Sequence, residues 1–202
     1  MEAFTKLTAI AAPLDMSNVD TDKIIPGRFL RKLRGPGYDK LAFHDIRFNA
    51  DGSENPDFVL NKAPYRTAKI LVAAANFGCG SSREAAVYVM WDFGIRCVIA
   101  PSFGDIHYGN ELQNGMLPVV LPDAVCANLR GQLNATPGAT MSIDLEAQKI
   151  TGPDGAVHGF EIDANSKERL LKGLDDIGLV MQHIGEIEAF EQRHQREMPW
   201  LV

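Results

Sequence analysis

The sequence predicts an α/β protein with a small parallel βαβαβ core, further antiparallel strands and a helical C-terminus. Three observations predict it. Short apolar runs at Lys69 to Ala75, Arg96 to Ala100 and Leu117 to Leu121 have the length of buried strands. Helix-like stretches separate them, and after Pro137-Gly138 the apolar period shortens toward two. Strand and helix alternating within one segment is the pattern of a parallel sheet with right-handed crossovers.

In chain order, Lys6 to Ala12 and Phe58 to Asn61 are strand candidates within an otherwise irregular first third. Asp15 to Pro26 is rich in Asp, Asn, Ser and Thr and reads as a structured loop, a turn held by Asp and Thr side chains. Arg34 to Gly37 and Asn49 to Asp57 are surface loops by composition. From Ser81 to Phe93, apolar residues at 85, 86, 89, 90 and 93 make a helical stripe that Gly94 stops. A weaker helix reaches about Asn114, and another spans Asp123 to Leu133. Thr140 to Glu146 and Ala156 to Ile162 are read as a hairpin turning at Gly152-Pro153-Asp154-Gly155. Ser166 to Met181 and Gly185 to Arg196 are helical, closed by Pro199. In the last helix Ile184, Ile187 and Phe190 share one face, read as core-facing in preference to partner-docking. The expected organisation is one domain over 1–202, with a helical extension from about 166 to 202.

Composition narrows the function. Of 202 residues, 46% are hydrophobic and 23% charged, which suits a packed core and argues against disorder. A formal charge of −6 without a basic block disfavours nucleic acid. The apolar runs are far too short for a membrane span, and the N-terminus lacks a signal pattern. Three scattered cysteines, Cys79, Cys97 and Cys126, fit a reducing compartment, so the expectation is a cytoplasmic protein.

The chemistry concentrates in Gly78-Cys79-Gly80-Ser81-Ser82-Arg83-Glu84, between a strand and a helix. Gly80 and Gly78 let backbone come close to a ligand. Ser81 with Glu84 three places on is a capping box that would start the helix at Ser81. A helix start attracts anions, and Arg83 adds a planar fork matched to a carboxylate. The bland reading is a well-capped connection with a solvated Arg; two glycines, two serines and an Arg together favour a carboxylate loop. The phosphate-loop, dinucleotide and nucleophile-elbow patterns all fail at position 83 or for want of a lysine. No Cys or His pair has metal-ligand spacing, and among the histidines only His107 draws interest. A second cluster, Asn18-x-Asp20-Thr21-Asp22-x-Ile24-Ile25-Pro26, lacks the third oxygen of a cation loop.

These two clusters, with Gly94-Ile95-Arg96-x-Val98-Ile99-Ala100 and Ser102-Phe103-x-Asp105-Ile106 through Pro118, resemble the isopropylmalate dehydratase small-subunit family. The likeness covers nearly the whole chain, and its most specific piece is G-x-GSSRE. The resemblance implies the swivelling β/β/α domain of aconitase-type enzymes, in which the antiparallel strands are barrel-like. It implies a hydro-lyase subunit that turns 2-isopropylmalate into 3-isopropylmalate in leucine biosynthesis. Ser81 then matches the proton-removing serine, while Ser82 and Arg83, with Gly80 beside them, match the carboxylate-binding residues. Arg28 and Arg31, in the loop after Ile24-Ile25-Pro26, are further substrate-binding candidates; a solvated charge run is the alternative. No cofactor is expected on this chain. A [4Fe-4S] cluster is expected on a large subunit, the partner without which this chain is inert.

The sequence departs from the usual family form at three positions: Ala85 for His, His107 for Phe and Gly109 for Asn. Two alternatives follow. One is a paralogous subunit for a related acid of the citraconate, dimethylmalate or aconitate type; the other is a non-catalytic carboxylate-binding module. A hydrolase built on Cys79 is a distant third.

Overall fold

The apolar runs become strands of one seven-stranded sheet. The computed structural model describes residues 1–201. β1 (Lys6–Leu14) is its centre, pairing in parallel with β2 (Ile70–Ala73) and antiparallel with β5 (Thr140–Asp144). On the first side, β2, β3 (Cys97–Ala100) and β4 (Leu117–Val120) continue in parallel. On the other side, β6 (Lys149–Thr151) and β7 (Val157–Gly159) continue antiparallel, giving the order β4-β3-β2-β1-β5-β6-β7. The two halves predicted from the sequence therefore share a strand, and the antiparallel strands extend the parallel sheet.

Side-chain alternation divides the core between the two faces of the sheet. Leu71, Ala73, Val98 and Ala100 point to one cluster, shared with Ile24, Ile25 and Phe43. Ile70, Val72, Cys97 and Ile99 point to the other. Two one-turn helices, α1 (Thr21–Ile24) and α2 (His44–Arg47), lie in the long connection from β1 to β2. α3 (Glu84–Phe93) joins β2 to β3 and packs Ala86, Val87, Val89 and Met90 on the first cluster. α4 (Asp105–Gln113) joins β3 to β4. α5 (Asp123–Ala135) covers the second cluster with Cys126, Leu129 and Leu133.

Four local expectations need correction. Phe58 to Asn61 is a 3₁₀ turn, because the Asn61 side chain reaches back to the Arg47 and Asn55 carbonyls, 2.6 and 2.9 Å away, and holds the chain in a bend. The hairpin at Gly152–Gly155 joins β6 to β7, and β6 itself was not anticipated. The preceding turn carries no Gly or Pro; it is built by Asp144 accepting from the Ala147 amide and by Gln148 at φ 53°. The helix expected from Ser166 to Met181 breaks into α6 (Ala164–Lys172) and α7 (Asp176–Met181). Gly173 takes φ 67° there, with a would-be Cβ only 2.8 Å from the Met1 carbonyl oxygen. Finally, α8 (Ile184–Glu197) buries none of its residues, so its apolar stripe is not core-facing.

One close approach fixes the geometry of the chain just past β2. Gly78 has φ 69°, and a Cβ there would lie 2.1 Å from Cδ2 of the His107 ring on α4. Its neighbour Gly104 is pressed equally hard, with a would-be Cβ 2.6 Å from the Gly78 carbonyl oxygen. Gly78→Ala must therefore strain the backbone and displace an imidazole, and should destabilise the fold by at least about 2 kcal/mol in urea titrations. Gly35→Ala, with open space around it, serves as the control and should stay within about 0.5 kcal/mol; equal stability of the two variants would contradict the close packing.

Candidate active site

Three loops leave the carboxyl ends of parallel strands and meet: 15–20 after β1, 74–83 after β2 and 101–104 after β3. In open α/β sheets this edge is where ligands bind. Short β-bridges tie the loops, Asp20 to Cys79 and Phe77 to Phe103. The Gly78 amide donates to the Val19 carbonyl at 2.7 Å, the Thr21 amide donates to the Cys79 carbonyl at 3.0 Å, and the Thr21 hydroxyl donates to the Ser81 carbonyl at 2.9 Å. Asn18 and Asn76, both at positive φ, are joined by a 2.7 Å side-chain hydrogen bond. The two sequence clusters are thus one structural unit. Asp20 caps α1 by accepting from the Lys23 amide at 2.7 Å, in keeping with a turn held by Asp and Thr.

Ser81 and Ser82 sit exposed on this unit, and neither hydroxyl makes a hydrogen bond among the described residues. The helix does not start at Ser81. Arg83 occupies the cap position without a side-chain cap bond, and Glu84, freed from a capping box, accepts from Asn114 at 3.0 Å. Asn114 is the C-cap of α4, so α4 braces the loop-helix junction and leaves the serines projecting ahead of the first turn. Arg83 is largely buried and pairs through Nη1 with Asp22, whose carboxyl is held below the usual range mainly by that hydrogen bond. Its remaining donors make no hydrogen bond among the described residues. Gly80, at φ 93°, keeps the backbone beside the serines bare.

The recess under this loop has a volume of about 160 Å³ and is lined by Thr21, Gly80, Ser81, Ser82, Arg83 and His107, among others. His107 and Glu111, one turn apart on α4, are 2% and 0% exposed. Nε2 of His107 stands 3.0 Å from Oε1 of Glu111, at ion-pair distance though not in line for a straight hydrogen bond. Burial pushes the Glu111 carboxyl above its ordinary range, opposed by the imidazole. Sequence reasoning passed over Thr21, Asp22 and Glu111 as functional residues; only the i, i+4 spacing of His107 and Glu111 on a helix pointed to a pair.

Neither Arg28 nor Arg31 lines this recess. Gly27 does abut the Arg83 guanidinium, since its would-be Cβ lies 3.7 Å from Nη1. Arg28, next in the chain, is spent on Asp45, holding that carboxyl down to about 2, and stacks over Phe29 at 4.5 Å. Arg31 is exposed and makes no hydrogen bond or ion pair among the described residues.

The chain's own residues do not fit an iron–sulfur cluster. Among the described residues no three His, Cys, Asp or Glu side chains converge. Cys97 and Cys126 are buried, and burial raises both thiols, Cys126 to about 11. Cys79 stands alone in the site loop, with no base hydrogen-bonded to it among the described residues.

Comparison with known proteins agrees with this geometry. Residues 1–124 match the family model of the aconitase C-terminal domain, and residues 176–202 match that of the C-terminal domain of the 3-isopropylmalate dehydratase small subunit. A protein of Gluconacetobacter diazotrophicus named 3-isopropylmalate dehydratase small subunit is 54% identical over 99% of this chain and 97% of its own. One of the same name from Rhodospirillum rubrum is 54% identical over 100% of this chain and 97% of its own. A crystal structure titled 3-isopropylmalate dehydratase, from Methanocaldococcus jannaschii, superposes with a TM-score of 0.66 at 25% identity, covering 92% of this chain and 99% of that one. The chain belongs to the 3-isopropylmalate dehydratase small-subunit family, as the smaller chain of a two-subunit hydro-lyase.

Proposed function

We propose that this chain supplies the proton-transferring and carboxylate-binding half of an isopropylmalate isomerase site, with 2-isopropylmalate as substrate. The observation that carries the reading is an unpartnered Ser81 hydroxyl beside Ser82 and a half-engaged Arg83, at the convergence of three strand ends. Arg83 and Ser82 hold a carboxylate of the acid. In the assembled enzyme Ser81, having first given its own hydroxyl proton to solvent, takes as the alkoxide the proton from the adjacent carbon, and in the rehydration direction the hydroxyl so formed returns it. Charge that builds toward the carboxylate as the proton leaves is met by the guanidinium already fixed there. Asp22 keeps Arg83 aimed while leaving donors over for the substrate.

The [4Fe-4S] cluster belongs, in this reading, to the large subunit, and the complex works in the cytoplasm. No helix among the described residues is long and apolar enough to cross a membrane. Docking falls to the C-terminal helices. Of thirteen large apolar side chains exposed among the described residues, eight lie at 177–201, including Ile177, Phe190 and Trp200. A stripe read from sequence as core-facing thus covers no core of its own, and the smaller chain of a two-chain enzyme has one obligatory occupant for it.

In the reconstituted two-subunit enzyme, Ser81→Ala should lower turnover of 2-isopropylmalate about 10² to 10⁴-fold, the scale of one proton-transfer group. Arg83→Lys should cost on the order of tenfold or more in kcat/KM, because an ammonium cannot replace the fork. Near-normal turnover by Ser81→Ala would end the reading, and binding of the acid without turnover by the wild-type complex would favour a non-catalytic module.

Phe190→Asp should weaken association with the large subunit by about 30-fold, measured by titration of one chain into the other, as for a buried aromatic anchor. Unchanged association would place the interface elsewhere.

A further inference from the structure

The seam between the serine loop and the segment after β1 has a root, and one side chain of α5 occupies it. β1 and β2 pair in parallel as far as Leu14 and Ala73, where both strands end and two of the site loops begin. Arg130 reaches that point from the face of the sheet opposite α3. Its Nε donates to Oδ1 of Asp15, the first residue beyond β1, at 2.8 Å. Its Nη1 donates to the carbonyl of Ala73, the last residue of β2, at 2.7 Å. The side chain is only 11% exposed. Asn134, one turn further along α5, donates to the other Asp15 oxygen at 2.8 Å. The local sequence of α5 does not mark Arg130, because its two partners lie 115 and 57 residues away.

From this root the links follow one another toward Ser81. The Asn18 amide donates to the Ala75 carbonyl at 2.9 Å, the Gly78 amide to Val19, the Thr21 amide to Cys79, and the Thr21 hydroxyl to the Ser81 carbonyl. Every link requires the two chains to leave the sheet at pairing distance. A guanidinium suits that task, since its planar fork serves two acceptors of fixed direction, which a lone ammonium does not. Ser81 and Arg83 do not depend on the seam equally. Arg83 stands at the start of α3, which the Glu84–Asn114 hydrogen bond braces from α4. Ser81 lies outside that helix and is held through its carbonyl by the last link of the seam.

We propose that Arg130 is a positioning residue for the reaction, clamping the exits of β1 and β2 and thereby setting where the Ser81 hydroxyl stands. This rests on the reading of Ser81 as the proton-transferring group and extends it to a residue that does not line the recess. Proton transfer between oxygen and carbon is lost steeply when the two are displaced by an ångström. The carboxylate grip of Arg83, braced separately, is less exposed to that displacement. Loss of the clamp therefore acts on kcat more than on KM.

The test uses the reconstituted two-subunit enzyme with 2-isopropylmalate. Arg130→Met keeps the aliphatic packing and removes both bonds; kcat should fall about tenfold with KM within about threefold. Hydrogen exchange at the Asn18, Thr21 and Gly78 amides should quicken about tenfold in the same variant, since these are the links of the seam. Ile150→Val, a core change on β6, lowers general stability without touching the seam and should leave kcat and those three amides within about twofold. Arg130→Lys, which keeps one bond of the two, should recover part of the loss; if Arg130→Met does not assemble, a kcat lowered about threefold in Arg130→Lys carries the proposal and a normal one overturns it. Wild-type kcat in Arg130→Met, a loss confined to KM, or seam amides that exchange as in Ile150→Val would each overturn it. Ser81→Ala run alongside separates the two ideas. If it is inactive while Arg130→Met turns over normally, only the role of Arg130 falls; if it turns over normally, the reading of Ser81 falls and the role of Arg130 in the reaction with it.

Discussion

The whole site depends on backbone lacing between the segment after β1 and the loop after β2. Neither segment is regular enough to hold its shape alone. The first is a four-residue helix preceded by a turn; the second is a glycine-broken bend with three residues at positive φ, Asn76, Gly78 and Gly80. Paired, they satisfy one another: the amides of Gly78 and Thr21 and the Thr21 hydroxyl all find carbonyl partners across the seam. The seam turns two flexible loops into a single platform, and Val19, Ile24, Ile25 and Phe77 anchor it in the same buried cluster. A serine on a free loop would sample many positions, and catalytic geometry does not survive displacements of an ångström.

The second support comes from below. α4 touches the platform at both ends, through His107 under Gly78 and through Asn114 on Glu84. This explains the glycines at 78 and 104 better than ligand access alone does: each marks a place where helix and loop come within van der Waals contact, and only a residue without a Cβ fits. Gly80 is different. It has open space around its would-be Cβ apart from Asp20 and Thr21 at 3.6 Å and beyond, so its positive φ and bare surface face the recess. Of the two glycines in the loop, then, one is demanded by packing and the other by its backbone angle alone.

What was legible in the sequence, and what was not, divides along the same physical line. The strands were legible because burial on both faces of a sheet writes uninterrupted apolar runs, as at Ile70–Ala73 and Cys97–Ala100. The stripe of α3 was legible because one face meets the core. The serine loop stood out in the sequence because Ser, Gly and Arg each have few other reasons to coincide there, and in the structure all three line one recess. Ser81 with Glu84 has the spacing of a cap, yet Glu84 serves Asn114, thirty residues away, and no local pattern announces a tertiary partner. The turn before β6 escaped because Asp144 and Gln148 do the work of Gly or Pro. The stripe of α8 was read correctly as amphipathic and wrongly as inward, since periodicity reports that a face is apolar and not what covers it.

The exposure of Ser81 has a consequence for how the enzyme must work. A serine hydroxyl in water is a very weak base, and around Ser81 there is no histidine or carboxylate among the described residues hydrogen-bonded to take its proton. Arg83 is the nearest fixed cation, and Asp22 already offsets part of its charge. On this chain alone the hydroxyl therefore stays protonated and solvated. Covering the recess with another surface removes water, strengthens the field of Arg83 on whatever lies beside it, and lets any positive charge that the covering chain carries bear on Ser81. With Ser81 in the proposed role, the base is dormant until assembly.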